Sequence, residues 1–185
     1  KWNMEHNLMS TLSIKELSHP AGEVIKIASG KTLDLKSSGT TTLPTGSVLQ
    51  VIQTTSNTAT ELTAVNTWTT VGTAATITPT SASSKILVMH SAGGLSNGSN
   101  ASFGFQLLRG STAVSTRSRY GYTAVSGYAP INWDFKYLDS PNTTSAITYN
   151  FQIRLTNAGN IRHCDNESEV TNNDACTTIL MEIQG

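Results

Sequence analysis

From Ser47 to the C-terminus, apolar and polar side chains alternate in short runs. The longest is Ile147, Tyr149, Phe151, Ile153 and Leu155, interleaved with Thr148, Asn150, Gln152 and Arg154. Ile131, Trp133, Phe135 and Tyr137 alternate with Asn132, Asp134 and Lys136, and Phe103, Phe105 and Leu107 with Gly104, Gln106 and Leu108. Ser47 to Gln53 and Ala74 to Pro79 are short β-branched runs, and Lys85 to Met89 is nearly continuous in apolar character. Ile179, Met181 and Ile183 form the last run, with Glu182 facing outward. A strand sends successive side chains to opposite faces. Period two, with Gly, Asn, Ser and Pro between runs, therefore predicts an antiparallel sandwich or barrel. No stretch after residue 22 carries a helical period. Residues 47–185 read as one all-β domain.

Two segments precede it. In residues 1–22, Met4, Leu8, Met9 and Leu12 have the spacing of a short helix, which Ser10, Thr11 and Ser13 weaken. His19-Pro20-Ala21-Gly22 ends whatever comes before, and the segment reads as an extended arm. Residues 23–46 hold a hairpin and a linker. Ile25 and Ile27 share one face of the first strand, Leu33 and Leu35 one face of the second, and Ser29-Gly30 sits between at turn spacing. Burying four aliphatic side chains at about 1.5–3 kcal/mol each does not offset the ordering of about fourteen residues at about 1–2 kcal/mol apiece. The hairpin needs a partner, and the same segment in neighbouring copies is the nearest one. It reads as a neck that holds copies of the chain together.

These segments carry a resemblance. The phrase VIKIASGKTLDLKSSGTTTLPTGS, placed between an arm and a β-rich half, is similar to the stretches preceding head domains in phage fibre proteins, particularly those of cyanophages and related marine phages. FGFQLLRG, INWDFKYLDSP, TSAITYNFQIRL and TTILMEIQG resemble the jelly-roll heads of the tumour necrosis factor and complement families. The resemblance covers about residues 23–185. It implies a homotrimer displayed on a virion, with the final strand inside the trimer axis. It also implies an arm bound to other virion proteins and a head that binds a host-surface glycan or protein.

Composition narrows the alternatives. The 185 residues carry 12 basic and 12 acidic side chains, and charged residues make up only 13%. Thr, Ser and Asn together are roughly a third of the chain, an uncharged polar excess over average usage. Without clustered Lys and Arg, phosphate affinity is missing and nucleic-acid binding is not expected. No apolar run approaches the roughly 18 residues of a spanning helix, so membrane insertion is not expected. Lys1–Ser10 has no apolar core of the secretory kind. A chain that opens on Lys is expected to be the end of a longer polypeptide, or to start at Met4 or Met9. The sequons at Asn97, Asn100, Asn142 and Asn166 are no more than this Asn, Ser and Thr content yields by chance.

Candidate chemistry is sparse. His6, His19, His90 and His163 are scattered, and no HExxH, serine elbow or phosphate-cradling loop appears. His90, ending the KILVMH run, reads as structural. A glycosidase needs two facing carboxylates, whereas Asp134 alternates onto a polar face and Asp139 opens an Asp-Ser-Pro turn. No catalytic residue and no cofactor is expected. Cys164 and Cys176 bracket DNESEVTNNDA. A bridge between them closes a loop of about a dozen residues and removes about 3 kcal/mol of unfolded-state freedom, with two thiols as the other reading. Leaving a reducing cytosol on a virion favours the bridge. A zinc site on His163, Cys164 and Cys176 lacks a fourth ligand at finger-like spacing, so no metal centre is expected. Asp165, Glu167, Glu169 and Asp174 lack the ordered pattern of a calcium loop and read as a solvated acidic face.

The segment STRSRYGYTAVSGYAP is the candidate receptor surface. Arg117, Arg119, Tyr120, Tyr122 and Tyr128 combine rings that stack on sugars with guanidinium groups that fork onto a carboxylate. Alternation of Tyr120 and Tyr122 also suits a core or subunit interface, and Trp68 and Trp133 read as core or interface anchors. The expected protein is a homotrimeric tail fibre with an arm (1–22), a neck and linker (23–46) and a jelly-roll head (47–185). Three weak sites on one rigid trimer would gain avidity. Rival readings are a capsid decoration or cement protein, a glycan depolymerase head and a secreted complement-like module.

Overall fold

The computed structural model describes residues 29–31, 43–165 and 176–185, with the side chains of 97–100, 119–120, 123–126 and 128 set aside. The chain divides into two units, Lys1–Thr42 and Leu43–Gly185. In the first, Ser29 and Gly30 form a turn, and Gly30 has φ +72, the left-handed conformation for which glycine suits that turn. Ile25, Ile27, Leu33 and Leu35, on which the neck was read, lie outside the described residues, as does the arm.

Among the described residues the second unit contains eight strands: β1 (Val48–Ser56), β2 (Thr60–Leu62), β3 (Thr69–Ile77), β4 (Lys85–Arg109), β5 (Thr112–Asp139), β6 (Ile147–Leu155), β7 (Asn160–His163) and β8 (Cys176–Ile183). No helix occurs among its described residues. β4 and β5 form one long hairpin, paired from Ile86↔Asp139 to Arg109↔Thr112, and each runs through both layers of a sandwich. Register shifts between Asn97 and Gly98 and between Ser99 and Ala101 mark the corner where β4 leaves one layer for the other. Layer one is β1–β8–β4(85–92)–β5, and layer two is β3–β6–β4(103–109)–β5. The two layers share one hydrogen-bonded sheet because β4 and β5 span both. Leaving out the short β2 and β7, counting each half of β4 and β5 separately and numbering the eight segments in chain order, the orders are 1-8-3-6 and 2-7-4-5. This is a jelly roll.

β7 continues the line of β8 along β4: His163 pairs with Gly94, and Cys176 pairs with Ala92. The sequence between Cys164 and Cys176 therefore interrupts what is otherwise one continuous edge against β4. Between the layers lie Ile86, Val88, Phe103, Phe105, Leu107, Trp133, Phe135 and the odd-numbered residues of β6 from Ile147 to Leu155. These are the alternating positions the sequence marks as inward.

β8 corrects the sequence reading. Its buried positions are Cys176, Thr178, Leu180 and Glu182, while Ile179, Met181 and Ile183 face away from the core. Glu182 is fully buried, not outward. Alternation divides a strand into two faces, and pairing with the neighbouring strands then decides which one meets the core. Here Thr178 pairs with His90 and Glu182 with Ile86, both buried positions of β4.

Candidate functional site

The outward face of layer one is the first site. Val51 pairs with Met181, Met181 with Leu87, and Leu87 with Leu138, so four apolar side chains cross the sheet in one row. Paired residues share a face, which puts all four on the side away from the core. The outer strands are the more open: Val51 is 53% exposed and Leu138 49%. Beside this row stand Ile179 and Met89, a pair on the same face. A sheet face is expected to be polar where water covers it. This one is aliphatic along that row, while the next row places Ile179 and Met89 between Gln53 and Lys136.

The second site lies within the core. His90 on β4, His163 ending β7, Cys164 just after it and Cys176 starting β8 converge, each at most 2% exposed. Cys164 and Cys176 are joined as a disulfide. His90 Nε2 lies 3.2 Å from His163 Nε2, and His90 Nδ1 lies 3.0 Å from Thr178 Oγ1. His163 Nδ1 faces the sulfurs, 3.1 Å from Cys164 Sγ and 3.6 Å from Cys176 Sγ. The His90 ring stacks on Phe151 at 4.1 Å, and Trp133 meets His163 edge-on at 4.9 Å. Burial pushes His90 down to about 4; it also pushes His163 down to about 3, with His90 beside it adding to the effect. Both imidazoles are therefore neutral at pH 7. Gly72, at φ +67 in β3, closes the cluster from the opposite layer; a Cβ there would lie 3.2 Å from His90 Cε1 and 3.6 Å from His163 Cε1.

Sequence spacing offered His163, Cys164 and Cys176 without a fourth partner. The sheet brings His90 beside them, and ligand atoms of His90, His163 and Cys176 all lie within 4.8 Å of one another, His163 turning Nε2 to His90 and Nδ1 to the sulfurs. Nothing local could have found it, because His90 and His163 meet only through the pairing of β4 with β7 and β8.

The candidate receptor residues lie on β5, which among the described residues pairs only with β4. Arg117 and Tyr122 are exposed, Tyr122 by 59%, and Arg117 sits 5.8 Å from the centre of the Phe135 ring. The side chains of Arg119, Tyr120 and Tyr128 lie outside the described residues. Gly121, between the two tyrosines, is needed for packing, since a Cβ there would run into the Phe103 ring. Trp133 is buried, and Trp68 holds the Arg154 guanidinium at 4.9 Å. Of the acidic loop only Asp165 is described, paired with Arg162 at 2.8 Å.

Asp134 and Asp139 do not form a facing pair. Asp134 is exposed and meets Lys136 at 2.8 Å, whereas Asp139 is buried on the other face of β5. There Asp139 accepts the Tyr149 hydroxyl at 2.7 Å and Arg109 Nη1 at 3.0 Å. Burial, then the hydrogen bond to Asp139, raise the Tyr149 phenol above its ordinary range.

No family model matches the chain, and no curated protein matches it. Solved structures that resemble it include infectious bursal disease virus of the Gx strain, with TM-score 0.38 and 12% identity over 86% of this chain. Another is the D431N mutant VP2 protein of the same virus, with TM-score 0.37 and 12% identity over 83% of this chain. The chain spans about two-fifths of the length of those proteins, matching 42% and 40% of them. Likeness this loose places the chain in no family.

Proposed function

We propose that the chain is a structural protein of a virion, a phage tail fibre whose jelly-roll heads associate as a homotrimer through the outward face of layer one. The aliphatic row Val51–Met181–Leu87–Leu138 carries this reading. Exposed apolar area of this kind marks an interface, and closed symmetric association is the common way for identical chains to cover it. β8 runs between β1 and β4 in this sheet, so its outward side chains stand in the middle of the proposed interface, in keeping with the trimer-axis position that the resemblance implies for a final strand. Residues 1–22 attach the chain to neighbouring virion proteins, and the edge strand β5, with Arg117 and Tyr122 exposed, offers the contact to a host-surface glycan or protein.

Light scattering of the purified chain tests the assembly. Three times the chain mass is expected, and a folded monomer at micromolar concentration overturns it. Antibody labelling of particles then tests placement: label at the tail is expected, and label spread over the shell converts the reading to capsid decoration. Purified protein should also block adsorption of particles to host cells, and Arg117→Ala with Tyr122→Ala should weaken that block without changing the assembled mass.

A further inference from the structure

We infer that His90 and His163 form a redox-coupled hydrogen-bond relay: with the Cys164–Cys176 bridge closed, Thr178 donates through both rings toward the sulfurs, and reduction of the bridge reverses every bond in the chain. The inference stands on the core of the head and does not depend on the proposed virion role.

The line of contacts is unbroken. Thr178 Oγ1 lies 3.0 Å from His90 Nδ1, and the two Nε2 atoms lie 3.2 Å apart. His163 Nδ1, on the opposite side of its ring, faces Cys164 Sγ at 3.1 Å and Cys176 Sγ at 3.6 Å. Burial keeps both imidazoles neutral at pH 7, so each ring carries one proton on one nitrogen. Of two facing Nε2 atoms, one must donate and the other accept. The protonated nitrogen of one ring thereby fixes that of the other, and the pair has two arrangements.

The sulfurs choose between them. A disulfide has no proton and can only accept. With the bridge closed, His163 therefore holds its proton on Nδ1, toward the sulfurs. Its bare Nε2 accepts from His90 Nε2, and the bare His90 Nδ1 accepts the Thr178 hydroxyl. The opposite arrangement would bury His163 Nδ1 as an acceptor without a donor, which is costly. A thiol does donate, and sulfur is a weak acceptor. After reduction the nearer sulfur, Cys164 Sγ, donates to His163 Nδ1, His163 Nε2 to His90 Nε2, and His90 Nδ1 to Thr178 Oγ1.

The rings stay in place while the protons move. His90 stacks on Phe151 at 4.1 Å and Trp133 meets His163 edge-on at 4.9 Å. From the opposite layer Gly72 closes on both rings, where a Cβ would lie 3.2 Å from His90 Cε1. The exchange balances with a thiol reagent. Two RSH molecules give two electrons and two protons to the bridge and leave as RSSR; each sulfur gains one proton, and each imidazole keeps one throughout. All four ring nitrogens have a partner in either redox state. The head can therefore fold in a reducing compartment and be bridged later without stranding a buried nitrogen.

The test uses the full chain labelled with ¹⁵N-histidine and long-range ¹H–¹⁵N NMR, in which protonated and bare ring nitrogens resonate far apart. In the oxidised chain at pH 7 the bare nitrogens should be His163 Nε2 and His90 Nδ1. After reduction with dithiothreitol under nitrogen they should be His163 Nδ1 and His90 Nε2. Cys176→Ala keeps the nearer thiol and forms no bridge, so it should show the reduced pattern with or without dithiothreitol. The same bare nitrogens in both redox states overturn the inference, as does a bare His163 Nδ1 in the oxidised chain or the oxidised pattern in Cys176→Ala. A reduced chain that loses its β circular dichroism overturns it too, because the relay requires both states to be folded.

Discussion

Thr80 and Glu182 meet inside the head: the Thr80 amide and hydroxyl donate to one carboxylate oxygen of Glu182 at 2.7 and 2.8 Å. Gln50 donates to the other oxygen at 2.6 Å. A buried carboxylate is costly unless its lone pairs are filled, and here donors from β1 and from the segment after β3 fill them. Glu182 therefore ties the end of β8 to β1 and to the segment after β3. Removing it takes the acceptor from exposed Thr80 and half-buried Gln50 and unties β8 from both segments. Glu182→Ala should cost about 3 kcal/mol, and Glu182→Gln about half of that, in urea denaturation of the oxidised chain. An unchanged midpoint for Glu182→Ala would remove this role.

Acid should destabilise the disulfide-bonded head well before ordinary carboxylates titrate fully. Burial alone would push Glu182 up, but hydrogen bonds from Ser84, Gln50 and Thr80 outweigh it and hold the carboxyl below its usual value. A depressed carboxylate contributes stability above its unfolded pKa that is lost as pH falls through its folded one. His90 at about 4 and His163 at about 3 act in the same direction. Unfolded histidines take up protons near pH 6.5 while the folded ones do not, so stability falls as pH drops from about 6.5 toward 4. Each histidine contributes a slope of up to about 1.4 kcal/mol per pH unit in that window. Melting temperatures recorded between pH 7.5 and 4 should decline steadily; a flat profile above pH 5 contradicts the buried neutral pair.

Charge placed on the outward face of layer one should separate assembly from folding. Met181→Glu or Leu87→Glu leaves the core untouched and should change monomer stability by only about 0.5 kcal/mol. In an assembled face either substitution buries an uncompensated carboxylate. The mass by light scattering should fall to that of a single chain while the circular dichroism stays that of a β protein. Retention of the larger mass would move the interface elsewhere.

The Tyr149–Asp139 bond offers a double-mutant cycle. Tyr149→Phe should cost about 1.5 kcal/mol, because it leaves a buried charged acceptor short of one donor. Asp139→Asn should cost a similar amount and also loosens Arg109. The double mutant should lose about 1 kcal/mol less than the sum of the two, measured by urea unfolding. Strict additivity would mean that the two side chains do not interact.

Period-two alternation made β6 and the Trp133–Tyr137 part of β5 legible, because each has one thoroughly apolar face and one polar face. The corner between Asn97 and Ala101 was not legible as a passage from one layer to the other. Its Gly, Ser and Asn residues read as a loop, whereas the long β4–β5 hairpin carries paired backbone through it. β8 was inverted for a different reason. Its aliphatic side chains line the outward face while Thr178 and Glu182 enter the core, so hydrophobicity and burial point in opposite directions there.

The sequence by itself determined that the head is made of antiparallel strands and where most of its core side chains fall, since those follow from the two-residue repeat of an extended chain. Only the tertiary structure decided which face of β8 turns inward, and that His90 joins His163 and the two cysteines. Both depend on which strands become neighbours and in what register, and pairing between residues 73 positions apart leaves no local mark in a sequence.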